Sequence, residues 1–370
     1  MKKLLVLILA ISLLTPVSAE GVEYGQDAIG DPNTVRINGG ASGFLYSDRL
    51  VFTAAHNFDG SENWSNLGFV NAPGVNSTSE QKKYNIYKIL KPPTYRARLG
   101  ADNTRIDDFG ILILRESIPM QNKVEVASPA DIESFIREKA PVVMVGYGFQ
   151  NVAQRSETQA WRDRTPRKMT SVLVSGDDLR KYYAAYPLWH QPNQTMLDFG
   201  IPNDATNGSV CDGDSGAGFF VQKSNVRYYL AAVGGQQAGI TNCNAPLGSF
   251  APNGGMSGIS PTYKFLALIK EAEDFVANEK KLEALQEAAR VAAELKAKQE
   301  AEEAAAKAAA ELKAKQDAEA QAAAELKAKQ EAEAKASALK KTTTTCVKGK
   351  LTKKVTAVKP KCPSGYKVKK

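Results

Sequence analysis

Gly43-Phe44-Leu45-Tyr46-Ser47-Asp48-Arg49-Leu50-Val51-Phe52-Thr53-Ala54-Ala55-His56 is rich in β-prone apolar residues as far as Phe52 and ends in small residues and a histidine. Similar short runs recur after it, among them 110–114, 141–145, 171–174 and 228–233. Gly, Pro, Asn and Asp separate them. Runs of this length and composition, bounded by turn residues, read as an all-β sandwich or barrel. Residues 131–139 fit a short helix or turn within it. No strand–helix–strand rhythm appears, which disfavours a doubly wound fold.

The remainder of the 370 residues divides by composition. Residues 1–19 have a basic start, an apolar run from Leu4 to Leu14 too short to span a bilayer, and a small residue at the break. They read as a secretory signal peptide cut after Ala19. Residues 20–270 hold the apolar runs, and no later segment is apolar for long enough to cross a membrane. The mature protein is therefore expected outside the cell or associated with its envelope. From Thr262 to Asn278 apolar residues fall at helical spacing, at Phe265, Leu266, Ile269, Ala272 and Phe275, so this helix should pack against the β domain at its start.

Residues 271–341 form an Ala/Glu/Lys-rich helical stalk or coiled coil, in which Glu-Leu-Lys-Ala-Lys-Gln recurs at 294–299, 311–316 and 325–330. The offsets are uneven and leucine is sparse, which is poor material for a coiled-coil seam. A solvated single helix supported by Glu–Lys pairs, about 90 Å long at the helical rise for the part beyond Glu279, is the favoured reading, with Ala-based association as its rival. Residues 342–370 form a basic module with nine Lys and no acidic residue, leaving 39 basic against 40 acidic residues in the rest of the chain. It is too small for its own core and needs a Cys346–Cys362 staple, with a two-stranded ribbon as its shape. Such a patch either attracts polyanions of the cell envelope or simply keeps the tail solvated. The four cysteines, Cys211, Cys243, Cys346 and Cys362, admit three connectivities, of which pairing within each local pair avoids linking two bodies across the helix.

Three segments carry chemistry. In Cys211-Asp212-Gly213-Asp214-Ser215-Gly216-Ala217-Gly218 a serine stands on a glycine-crowded turn, as a nucleophile needs if its hydroxyl is to be exposed and backbone N–H groups are to face a developing oxyanion. His56 ends a β run, and a serine mechanism needs a base of near-neutral pKa. The only other histidine, His190, sits among aromatic and proline residues and reads as structural. In Asp107-Asp108-Phe109-Gly110-Ile111-Leu112 acidic residues precede a buried strand, where a carboxylate can fix a histidine tautomer.

Together these segments resemble the trypsin/chymotrypsin family of serine proteases over about residues 22–270, in the family's His–Asp–Ser chain order. Residues 43–56 look like its approach to the catalytic histidine, Asp108 to Leu112 like its aspartate strand, Val145-Gly146-Tyr147-Gly148 like the strand opening its second half, and 196–200 like the stretch before its specificity pocket. The resemblance implies two antiparallel six-stranded β-barrels and a catalytic triad of His56, Asp108 and Ser215. It further implies an oxyanion hole from the N–H groups of Gly213 and Ser215, a Cys211–Cys243 bridge, and Gly234, Gly235 and Gln236 as a substrate-binding strand. Ser209 would form the floor of the specificity pocket, and the absence of a carboxylate there favours apolar or aromatic side chains before the cleaved bond. The expected activity is endopeptidase cleavage of protein or peptide substrates, with no cofactor, no metal and no nucleic-acid partner.

Several positions depart from the family pattern. Asn57 stands where a cysteine is usual, Ala217 where glycine is usual, and Gly235 where an aromatic residue is expected. In the family a freed N-terminal amine pairs with the aspartate before the serine, here Asp214; Val22 could supply that amine. Arg36-Ile37 looks superficially like an activation site but reads as barrel strand. The alternatives are a catalytically inactive protease-like module for binding or adhesion on a helical stalk, and a structural envelope protein.

Overall fold

A computed structural model describes residues 25–37, 40–59, 68–76, 81–99, 104–149, 164–184, 199–202, 208, 210–211, 213–234, 237–238, 256–259 and 261–370. The strands Thr34–Ile37, Ala41–Ser47, Leu50–Thr53, Gly110–Leu114, Lys83–Leu90 and Phe69–Asn71 close, in that order, into an antiparallel barrel. Thr34–Ile37, Leu50–Thr53 and Gly110–Leu114 are buried on both faces, which is why the last two read as continuous apolar runs, whereas Lys83–Leu90 begins with alternating exposed and buried residues. Leu45, Val51, Leu112 and Leu114 join Val35, Val70 and Ile86 in one cluster. Their neighbours Phe44, Leu50, Phe52, Ile111 and Ile113 point the other way and pack with Val145, Phe220 and Tyr229. Strand alternation thus gives the barrel one core and the joint to the next half of the domain another.

The second half contains a six-stranded sheet in the order Gln26–Asp27, Arg167–Ser171, Val142–Gly146, Gly218–Lys223, Val226–Ala232 and Lys123–Val126. A four-stranded sheet runs Val174–Ser175, Phe199–Pro202, Met256–Ile259 and Gln237–Ala238. Closure into a second barrel is not seen among the described residues. One pairing also departs from the antiparallel expectation, since Lys123–Val126 runs parallel to Val226–Ala232. The core here is built from Met144, Phe199, Ile201, Phe219, Val221 and Leu230, covered by Ile132 and Phe135 of the helix Pro129–Glu138. That helix starts on a reciprocal Ser128–Asp131 cap with Pro129 in its first turn and ends at a left-handed Lys139, so local chemistry fixes both ends.

After a 3-10 turn the helix Leu266–Ala338 begins. Phe265, Ile269, Ala272 and Val276, spaced one helical turn apart, are buried beside Phe52 and Phe109. Glu273 accepts a hydrogen bond from Tyr46 Oη at 3.1 Å, and Lys280 pairs with Asp48 at 2.6 Å. Contacts divide the chain into residues 1–281 and 282–370. Within the second unit the helical residues are exposed, and Leu282, Leu285, Leu295, Leu312 and Leu326 each leave more than half their surface to water. At 3.6 residues per turn these leucines scatter around the helix instead of stacking into a seam. No helix among the described residues is long and apolar enough to cross a membrane.

The last module pairs Thr342–Lys348 with Leu351–Ala357, and the Cys346–Cys362 disulfide forms as expected. Where two strands were expected there are three: Lys367–Val368 adds to the free edge of Thr342–Lys348. The bridge holds residues 358–366 against one face and so returns the chain to that edge.

Candidate active site

The strand Leu50–Thr53 delivers His56 onto a single 3-10 turn, Ala55–Phe58. The neighbouring strand packs backbone to backbone with the start of this turn, since a Cβ on Gly110 would lie 3.3 Å from Ala55 Cα. Asp108 sits just before that strand. Asp107 has a φ of 50°, a left-handed conformation that aspartate adopts more readily than most residues, and Phe109 N–H donates to the Asp107 carbonyl at 2.7 Å. The chain therefore turns sharply at Asp108.

That turn aims its carboxylate at His56. Asp108 Oδ2 lies 2.6 Å from His56 Nδ1, and Oδ1 accepts the backbone N–H of His56 at 2.9 Å. The two side chains are 13% and 5% exposed, so water competes little for the bond. A carboxylate can only accept, which puts the imidazole proton on Nδ1 and leaves the Nε2 lone pair free to act as a base. Gly234 backs onto the same aspartate: a Cβ there would stand 3.3 Å from Asp108 Oδ2.

The serine loop is held by backbone bonds from Asp214 N–H to the Cys211 carbonyl, from Ala217 to Asp214 and from Gly216 to Val233, at 3.1, 2.8 and 2.6 Å. Gly213 and Gly216 take φ values of 92° and 88°, which a side chain would disfavour. At Gly216 there is no room either, since a Cβ would meet the Ser42 carbonyl oxygen at 2.2 Å.

Three polar residues from the first barrel dock this loop against the histidine turn. Ser42 N–H donates to the Ser215 carbonyl at 3.0 Å, and Ser42 Oγ donates to the Gly213 carbonyl at 2.9 Å. Thr53 Oγ1 donates to the Ser42 carbonyl at 3.0 Å. Asn57, next to His56, spans both segments: its Nδ2 donates to Thr53 Oγ1 at 3.0 Å and to the Ser215 carbonyl at 3.1 Å. Among the described residues no hydrogen bond joins His56 Nε2 to Ser215 Oγ, and none engages the N–H of Gly213 or Ser215.

Asp214 is fully buried. Its Oδ1 accepts Gly148 N–H at 2.7 Å and its Oδ2 accepts Cys211 N–H at 2.9 Å. Burial pushes its pKa up to about 7, against the opposing pull of those two bonds and of Arg164. Arg164 is itself buried; its Nη1 donates to the carbonyls of Tyr147 and Gly40 at 2.6 and 3.1 Å, and its guanidinium lies 4.1 Å from the Phe149 ring centre. Desolvation lowers its pKa to about 10. Its Nη1 would lie 2.0 Å from a Cβ on Gly213, so the cation packs directly under the loop.

His56 and Asp108 are thus in contact, and the backbone of Ser215 is tied to the histidine turn. Cys211 is disulfide-bonded. Its expected partner Cys243 lies outside the described residues, as do Ser209, Gly235, Gln236, Val22 and His190. Sequence reasoning missed Ser42, Thr53 and Arg164, and treated Asn57 only as a missing cysteine. An amide directly after the histidine was the one available signal.

A closed barrel with an aspartate-bound histidine at its rim, docked against a glycine-flanked serine, is the geometry of trypsin-like serine proteases. A sequence model of the trypsin family matches residues 26–253. The match spans more than half of the chain, and the chain belongs to the trypsin family. No curated protein sequence matches it.

Proposed function

We propose that the protein is a secreted serine endopeptidase that cleaves peptide bonds through an acyl-enzyme on Ser215. His56 Nε2 takes the Ser215 proton and returns it to the leaving amine, while Asp108 holds the ring and balances the imidazolium. The N–H groups of Gly213 and Ser215 receive the oxyanion, a role supported by their lacking any other acceptor among the described residues. The observation that carries the reading is the 2.6 Å contact between His56 Nδ1 and Asp108 Oδ2. The bond from Ser215 to His56 is the kind that tightens only when substrate is bound.

Residues outside the described set complete the proposal. They would close the second barrel, bridge Cys211 to Cys243, and place Ser209 at the floor of a pocket for apolar or aromatic side chains. Gly234, Gly235 and Gln236 would pair with the substrate backbone as an added strand. The amine of Val22 would reach Asp214 after export and trimming. Reaction of the purified protein with a fluorophosphonate, alongside cleavage of casein and a peptide library, tests the core of this. Labelling and cleavage that both vanish in Ser215→Ala are expected; a wild-type protein trimmed to Val22 that does neither is an inactive binding module.

A further inference from the structure

The C-terminal module has two unlike faces. Strand register puts Cys346, Lys348 and Lys353 on one side, where the disulfide to Cys362 and the approach of Gly365 to the Lys348 side chain bring the following segment against the buried Cys346, while Lys348 and Lys353 stay exposed. The opposite side carries Thr343, Thr345 and Val347 on the central strand, Thr352, Lys354 and Thr356 on the second, and Lys367 with Lys369 on the third. The 2.6 Å contact between Thr343 Oγ1 and Thr356 Oγ1 confirms that this row shares a face. Lys354, Lys367, Lys369, Thr343, Thr352 and Thr356 are all exposed.

On this face Lys354 stands opposite Thr345, and Lys369 N–H donates to the Thr345 carbonyl at 2.8 Å from the other side. Two lysines therefore flank one threonine across about 10 Å, and Lys367 lies about 7 Å along the strand from Lys369. Hydroxyls fill the spaces between the charges. We propose that this threonine–lysine face binds an extended phosphodiester polymer, of the polyol-phosphate kind found in cell envelopes.

Charge chemistry decides among the polyanions. Residues 342–370 contain nine Lys, no Arg and no acidic residue. Ammonium groups are compact point charges that bind phosphate oxygens without bidentate geometry, and the threonine hydroxyls between them can donate to the remaining phosphate oxygens of a chain whose charges are spaced apart. Single-stranded nucleic acid would call for aromatic stacking platforms, and this face has no aromatic residue. A membrane surface would call for large apolar side chains beside the lysines, and Val347 is the only apolar residue on the face.

The test is titration of the full-length protein with poly(glycerol phosphate), polyglutamate and anionic phosphatidylglycerol vesicles at several salt concentrations. The expected result is tightest binding to poly(glycerol phosphate), with a slope of log K against log salt of about −2 for three lysines. Lys354→Gln, Lys367→Gln and Lys369→Gln together should weaken it by about tenfold or more, while Lys350→Gln, Lys359→Gln and Lys361→Gln, an equal loss of charge elsewhere, should change it by less than about threefold. An intact Cys346–Cys362 bridge by mass, and unchanged circular dichroism, exclude misfolding as the cause. Equal weakening by both triple variants, preference for polyglutamate or vesicles, or no binding by the wild-type protein each overturns the proposal.

Discussion

Asn57→Ala removes the side chain that joins the histidine turn to the serine loop. Two neutral hydrogen bonds are lost, at 3.0 and 3.1 Å. Neither partner is orphaned, because the Ser215 carbonyl keeps the Ser42 N–H and Thr53 Oγ1 keeps the Ser42 carbonyl. Each bond then counts for about 0.5–1 kcal/mol, for a total of about 1–2 kcal/mol of stability. Only the bond to Ser215 acts on the relative placement of Ser215 and His56. About 1 kcal/mol lost there corresponds to a drop of about fivefold in the rate of acylation. The assay is the second-order rate of fluorophosphonate labelling, with kcat and KM on a peptide ester and a thermal melt in parallel. Acylation and kcat should fall by about fivefold, KM should stay within about twofold, and Tm should drop by about 2–8 °C. A lowered Tm with wild-type acylation would show that Asn57 supports the fold and does not register the two segments.

Gly213→Ala demands both a left-handed alanine and displacement of Arg164, so labelling of Ser215 should fall by about a hundredfold or more, in line with loss of an oxyanion donor; near-normal labelling would remove Gly213 N–H from the mechanism. For Asp214 in the untrimmed chain, with no terminal amine beside it, burial raises the folded pKa from 3.8 to about 7, so the stability it contributes is present below about pH 4 and is lost as pH rises through about 7. Asp214→Asn should flatten the dependence of Tm on pH across that window, and an unchanged slope would assign it to other groups. Ile269→Ala empties a site that is 3% exposed against the barrel, and should cost about 2–4 kcal/mol and lower Tm by several degrees while leaving kcat at 25 °C intact; a melt identical to wild type would mean the helix start adds nothing to the domain.

The strands that position the site were legible because both their faces are buried. Leu50–Thr53 and Gly110–Leu114 had to be apolar throughout, and so stood out as runs. His56 and Asp108 could be found from their places at the ends of those runs. The docking residues were hidden for the opposite reason. Ser42, Thr53 and Asn57 are ordinary polar residues whose meaning lies in partners such as Ser215, 158 positions from Asn57. Arg164 belongs to no periodic pattern, and its place beneath Gly213 follows from closure of the domain alone. The third strand of the last module, Lys367–Val368, is two residues long and too short for composition to reveal.

The six strands of the first barrel lie between Thr34 and Leu114, and the first cysteine of the chain is Cys211. Asn57 ties the histidine turn to the serine loop through amide hydrogen bonds. Closure of that barrel and the contact of His56 with Asp108 therefore need no oxidant, although one of its faces is completed by Val145, Phe220, Tyr229 and Ile269 from later in the chain. Thiol reductants would accordingly strike the serine half and the distal module while leaving the histidine half untouched.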